Sequence, residues 1–324
     1  MTVAFRPPEI ALPSTASDDP RVGQLLGRGL AGRHSARAVI LGFPTDEGVR
    51  RNGGRPGASA APTEIRRLLY RLTPDAANPL PFAELLRHTL DVGDLVTSAD
   101  LEADQQRLGD AVADVLDAGA FPIVLGGGHE TAFGHFLGYV KAGRAVTLLN
   151  WDAHADVREP VDGRGHSGSP FRQALLHPSR LARRYVVAGL LPHSVAAAHV
   201  DFVRSKKGDA VFRSALTSAR VRALYKGMRG PVLASFDIDA VDQAFAPGVS
   251  APAAGGLGSD LWLEAAFEAG RCPGVTSFDL VETNPAFDRD HQTARLAALT
   301  VWSLLRGLAA RTGAGPRRAR RVTR

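Results

Sequence analysis

Two rhythms of apolar and polar residues alternate along the chain. Short continuous apolar runs, Ala38–Phe43 (AVILGF), 121–125, 145–150, 185–188, 231–236 and 274–281, predict strands buried on both faces, and 89–92 predicts a weaker one. Between them lie segments of helical character at 62–72, 100–118, 130–141, 259–269 and 293–311. In 100–118, Leu101, Leu108, Val112, Val115 and Leu116 recur on one side, and Pro62 stands in the first turn of its helix. Pro7, Pro8, Pro13 and Pro20 break any early helix, so the first 30 residues read as extended. Alternating strands and helices predict a mostly parallel sheet covered by helices on both faces. The expected organisation is an extended arm over 1–35, one α/β domain over 36–312, and a basic tail over 313–324. No internal repeat or long linker divides the chain.

Open parallel sheets bind ligands beyond the carboxyl ends of their strands, and the unusual polar residues collect there. Gly126-Gly127-Gly128-His129-Glu130 follows one strand, and Asp152-Ala153-His154-Ala155-Asp156 follows another. Asp237-Ile238-Asp239-Ala240-Val241-Asp242 and Glu282 follow two more. In extended chain Asp152, His154 and Asp156 share one face, as do Asp237 and Asp239. Each segment alone has a plain structural origin: a satisfied histidine, a capped loop, a turn. Together they set two imidazoles and four carboxylates at one crevice. That charge is prohibitive without cations, and two divalent ions would neutralise it. Oxygen and imidazole donors without thiolate suit manganese better than zinc.

Composition narrows the alternatives. The chain has 324 residues, 44% hydrophobic and 22% charged, enough for a large buried core. No apolar run approaches the roughly 18 residues of a membrane-crossing helix, and no secretory signal opens the sequence. The single cysteine, Cys272, excludes an intramolecular disulfide and fits a reducing cytoplasm. The net charge of +6 invites a nucleic-acid partner. Five of the arginines, 317, 318, 320, 321 and 324, stand in the basic tail, leaving a nearly neutral body. That pattern reads as a solvated end; attachment of nucleic acid through it is the non-enzymatic alternative.

The three metal-type segments, in this order, closely resemble the signatures of the arginase, or ureohydrolase, family over about 38 to 310. The resemblance implies a three-layer α/β/α fold around an eight-stranded parallel sheet, two Mn2+ ions per chain, and assembly as a homotrimer or hexamer. It implies His129, Asp152, Asp156 and Asp237 as ligands of one ion and Asp152, His154, Asp237 and Asp239 as ligands of the other. Glu282 then pairs with the substrate's cationic N–C–N group. Four stretches look like those of the formimidoylglutamase branch: Val157-Arg158 after the central motif, Ser167-Gly168-Ser169-Pro170-Phe171, 246–252, and 284–290. Agmatinase-like members carry a proton-shuttling histidine where Ser167 stands; His166, one place earlier, leaves that role open. Ala155 is smaller than the phenylalanine expected of the branch, which leaves the pocket's shape open.

The reaction implied is hydrolysis of N-formimidoyl-L-glutamate to L-glutamate and formamide. The two ions would bring a water's pKa from about 15.7 to roughly 7, with Asp156 orienting that water and Glu282 holding the amidine. One argument stands without the family. Arg158 lies two residues beyond Asp156, and a guanidinium there pairs with a substrate carboxylate while repelling cationic arginine or agmatine. Arg50, Arg51 and Arg55, on the loop after the first apolar strand, are the candidates for a second carboxylate, Arg55 favoured by its flanking glycines, with Ser167 a further substrate contact. The rival activity is a guanidino-acid, arginine or agmatine hydrolase releasing urea.

Overall fold

The computed structural model describes residues 3–12, 14–16, 18–29, 35–98 and 100–311. The expected basic tail lies outside the described residues. The strands are β1 (Phe5–Arg6), β2 (Gly27–Arg28), β3 (Ala38–Phe43), β4 (Thr89–Leu95), β5 (Phe121–Gly126), β6 (Val146–Trp151), β7 (Ala182–Leu190), β8 (Asp209–Phe212), β9 (Val232–Asp237) and β10 (Val275–Val281). The helices are α1 (Val22–Leu25), α2 (Glu47–Arg51), α3 (Ala61–Leu69), α4 (Pro79–Arg87), α5 (Leu101–Asp117), α6 (Thr131–Lys141), α7 (Pro170–Leu176), α8 (Ala197–Ser205), α9 (Ser218–Gly227), α10 (Ser259–Arg271) and α11 (Gln292–Ala309).

Strands β3 to β10 form eight parallel strands in the order β4-β3-β5-β10-β9-β6-β7-β8. Every residue of β3, β5 and β9 is buried, as continuous apolar runs require when helices cover both faces. Alternate strand residues feed two cores. Ile40, Ile123, Leu125 and Phe236 pack with residues of α3, α10 and α11 on one face. Val39, Leu41, Val124 and Leu148 pack with residues of α5 and α6 on the other. This is the three-layer α/β/α architecture expected, and two of its helices, α5 and α9, start on a side-chain cap. Asp100, for instance, accepts the Ala103 N–H at the start of α5.

The amino-terminal segment differs from a plain extended arm. β1 pairs antiparallel with β4, and β2 pairs parallel with the same strand, raising the sheet to ten strands. Both are two residues long, too short to give a periodic signal. They lie along the otherwise open edge of β4 and satisfy part of its unpaired backbone. Gly93 has a φ of 92°, and a Cβ there would meet the Arg6 carbonyl oxygen at 2.0 Å, so glycine is what admits β1.

Behind this edge lies a buried charge cluster. Arg66 of α3 donates from Nε to Asp91 Oδ2 at 2.8 Å, from Nη1 to Asp94, and from Nη2 to the Gly93 carbonyl at 3.0 Å. Tyr70 Oη donates to Asp91 Oδ2 at 2.8 Å. The cluster ties α3 to β4, and burial pushes the Tyr70 hydroxyl up, with Asp91 adding to the shift.

Candidate metal centre

The loops after β5, β6, β9 and β10 carry the chemistry, and these four strands are adjacent in the sheet, in the order β5-β10-β9-β6. Their carboxyl ends therefore converge on one cleft of about 290 Å³. The donor atoms of His129, Asp152, Asp156 and Asp237 all lie within 4.8 Å of one another, and those of Asp152, His154 and Asp239 form a second such group. Asp152 belongs to both. Asp237 falls in the first group only, so its expected place as a second bridge is not part of the grouping.

The backbone is bent to make this possible. Asp156 and Glu282 both adopt left-handed conformations, with φ of 46° and 66°. Non-glycine residues held there store strain, a common feature of sites whose side chains must be aimed. A Cβ on Gly127 would meet the Thr45 carbonyl oxygen at 1.8 Å, so only glycine lets the β5 loop pass beside the β3 loop. Glu282 N–H donates to the Gly127 carbonyl at 2.8 Å, and the Glu282 carboxylate accepts the His129 N–H at 2.9 Å. The β5 and β10 loops thus lock each other.

The electrostatics fit divalent cations. His129 Nδ1 is buried, lies 2.8 Å from Asp156 Oδ2 and 2.9 Å from Asp237 Oδ2, and makes a hydrogen bond with neither. Asp239 Oδ1 is also buried without a partner. Lone pairs turned on one another in this way call for a positive charge between them, and the oxygen-and-imidazole set suits manganese-type ions. With protons as the only counter-charge, burial raises Asp237, with Asp239 and Asp152 adding to it, and burial raises Asp156 in the same sense. Burial works against a charged His129, yet Asp237 and Asp156 hold its pKa well above the usual range; Asp239 does the same for His154. Burial raises Glu282, helped by the neighbouring Glu130, whose own pKa burial pushes up to about 7.

Behind His129 runs a chain of buried polar groups that sequence reasoning did not single out. His129 Nε2 donates to Ser235 Oγ at 3.0 Å, Ser235 Oγ–H donates to Asp279 Oδ1 at 2.5 Å, and His135 Nδ1 donates to Asp279 Oδ2 at 2.6 Å. The chain fixes the His129 tautomer with Nδ1 free to face the carboxylates. The signal was present as polar residues inside otherwise apolar strand runs.

His154, Asp156, Arg158, Ser167, Arg55 and Glu282 all line the cleft. Arg158 is exposed on its wall, and Ser167 is buried beside it. Arg55 donates from Nε to the Ser250 carbonyl at 3.0 Å and from Nη2 to the Val249 carbonyl at 2.5 Å, and its guanidinium lies 4.2 Å above the Phe287 ring. Those bonds commit much of it to shaping the wall. His166 is turned inward: its Nδ1 accepts from the Gly168 N–H at 3.1 Å, and its Nε2 donates to the Glu159 carbonyl at 3.0 Å. Both nitrogens are used by backbone, so His166 pins its loop and is not set up as a proton shuttle. Asn52 also lines the cleft, and nothing in the sequence pattern marked it.

A carboxylate-and-imidazole cluster at the strand ends of a parallel α/β/α sheet defines a metal-dependent hydrolase. The chain belongs to the arginase family, which it matches over residues 36–306. The formimidoylglutamase of Rhodococcus jostii (strain RHA1) is 38% identical over 283 residues, covering 82% of this chain and 84% of that protein. That of Chromobacterium violaceum is 37% identical over 286 residues, covering 83% and 87%. The crystal structure of Trypanosoma cruzi formiminoglutamase with Mn2+ superposes with a TM-score of 0.84 at 34% identity, covering 91% of this chain and all of that one.

Proposed function

We propose that this chain hydrolyses N-formimidoyl-L-glutamate to L-glutamate and formamide at a centre of two manganese ions, a step of histidine degradation. The observation that carries the reading is Arg158, a guanidinium on the wall of the same cleft that gathers six metal-type donors. Close identity to formimidoylglutamases over most of the chain supports it. In the reading, His129, Asp152, Asp156 and Asp237 hold one ion, and Asp152, His154, Asp237 and Asp239 the other. Bound there, the ions supply charge neutralisation and a water acidic enough to attack at neutral pH.

The chain's own residues do the rest. Glu282, at the cleft floor, holds the cationic N–C–N unit in line with the metal donors. Arg158 takes a glutamate carboxylate at the other end of the substrate, with Ser167 beside it. Asp156 is the most solvent-accessible of the four aspartates, its side chain 12% exposed. Its carboxylate is therefore placed to orient the attacking water by accepting a hydrogen bond from it. Residues 36–312 form the catalytic unit in this reading, the tail at 313–324 lies outside the chemistry, and Cys272 remains a free thiol in a reducing cytoplasm. Assembly as a homotrimer or hexamer, implied by the family, belongs to the same reading.

The test is product identity after loading with Mn2+. Formamide should be released from formimidoylglutamate, with little urea from agmatine or arginine; the reverse order would transfer the chain to the guanidine-cleaving class. Metal analysis should give about two ions per chain. Asp237→Ala should lose both, and retention of one tight ion would remove Asp237 from the bridging position.

A further inference from the structure

The arginines in and beside the cleft differ in what holds them: Arg55, which lines it, is bonded to the Ser250 and Val249 carbonyls and lies over the Phe287 ring. Arg50 donates to both carboxylate oxygens of Glu47, Arg51 is paired with Glu47 and Glu102, and Arg172 with Glu159. Each of these charges is spent on a neighbouring carboxylate. Among the described residues, the Arg158 guanidinium donates to one side chain only, and that partner is neutral: Nη1 donates to Asn52 Oδ1 at 3.1 Å. The other end of the same amide, Nδ2, donates to Ser167 Oγ at 3.1 Å. Those two bonds fix which way the amide faces, oxygen toward the guanidinium and nitrogen toward the hydroxyl.

The backbone on both sides is held as well. Asn52 ends α2, where Gly48 donates to Glu130 Oε1 at 2.9 Å and its carbonyl accepts the Ser167 N–H at 3.1 Å. Arg158 N–H donates to the Gly168 carbonyl at 2.8 Å. A Cβ on Gly168 would stand 3.0 Å from Arg158 Cδ and 3.1 Å from Asn52 Nδ2, so the bare glycine lets the two side chains meet. An exposed arginine otherwise spreads over many rotamers, and fixing it before the substrate arrives removes that cost from binding.

We propose that Asn52 is a positioning residue for specificity. It aims Arg158 at the substrate carboxylate while leaving the guanidinium charge uncompensated, so that the cleft favours an acidic amidine over a cationic one. The inference rests on the reading that a carboxylate docks on Arg158. A carboxylate at position 52 would aim the guanidinium equally well and cancel its charge; only a neutral acceptor does one without the other.

The experiment compares Asn52→Asp, Asn52→Ala and Asn52→Ser with Arg158→Ala in the Mn2+-loaded, full-length protein. It reads kcat and KM for formimidoylglutamate, and inhibition by L-glutamate as an equilibrium probe of carboxylate binding. Asn52→Asp is nearly isosteric and should raise both KM and the glutamate inhibition constant by about tenfold or more, the scale of one charge-assisted bond. The fall in kcat should be smaller and metal content unchanged. Asn52→Ala and Asn52→Ser should give smaller rises, and either serves if one variant fails to fold. On an Arg158→Ala background Asn52→Ala and Asn52→Ser, which add no charge of their own, should add no more than about twofold, because their effect runs through the arginine. If Arg158→Ala weakens binding but the Asn52 variants do not, or if they weaken it equally without the arginine, the positioning role is overturned alone. If Arg158→Ala itself leaves KM and glutamate inhibition unchanged, the carboxylate reading falls and takes this inference with it.

Discussion

An imidazole placed among carboxylates to share an ion is useful in one tautomer and one orientation, and at His129 both are set from behind. Ser235, Asp279 and His135 are buried and joined end to end, so removing one member leaves the others with unmet bonds. Asp279→Asn is nearly the same shape but takes away the carboxylate that orders the row. It should weaken Mn2+ binding about 10- to 100-fold, the usual loss when the support of a ligand histidine is removed. Equilibrium dialysis should show one of the two sites weakened more than the other, and an unaltered two-site titration would reduce the row to core packing. The clustered donor groups were legible in the sequence because a charged residue at the end of a buried apolar run is costly unless an ion or a partner meets it. Asp279 was not, because it sits inside a run, where a lone polar residue resembles any buried hydrogen-bonding group. Asn52 was less visible still: an amide in a loop has no spacing to betray it, and its importance lies wholly in what it faces.

Elements were legible in proportion to their length and burial. β3 falls where its apolar run places it, and α5 and α6 begin within a residue of their expected starts. β4 and β7 run longer than the apolar cores that announced them, because each continues in polar or charged residues such as Asp94 and Arg183. β8 and helices α2, α4 and α7 to α9 were not foreseen; they are short, and several are half exposed, so their polar residues blur the period. The contact between α3 and β4 is another matter, because it depends on charge. Arg66 is almost wholly buried against Asp91 and Asp94. Arg66→Ala leaves buried carboxylate without its partner and should cost about 3–5 kcal/mol of stability. Chemical denaturation would show this as a lower midpoint, and a shift equivalent to less than about 1 kcal/mol would mean that water replaces the guanidinium.

At the scale of the molecule, alternation of strands and helices was enough for the layers and for seven of the eight parallel strands, the eighth being implied only by the family resemblance, but periodicity says nothing about which strand lies beside which. The order β5-β10-β9-β6 is far from sequential. β10, the last strand among the described residues, lies between β5, whose following loop carries His129, and β9, which ends on Asp237. Until it is inserted, the two halves of the donor cluster have no reason to be near one another. A polypeptide still growing on a ribosome therefore has no completed pocket in which to trap the wrong ion, and cation capture becomes one of the last events in maturation. Refolding followed by fluorescence should proceed at nearly the same rate with or without Mn2+, whereas unfolding should slow as Mn2+ is added. A strong acceleration of refolding would mean that the ion gathers the strands itself. In the expected case, the sheet proofreads its own completeness before it accepts its metal.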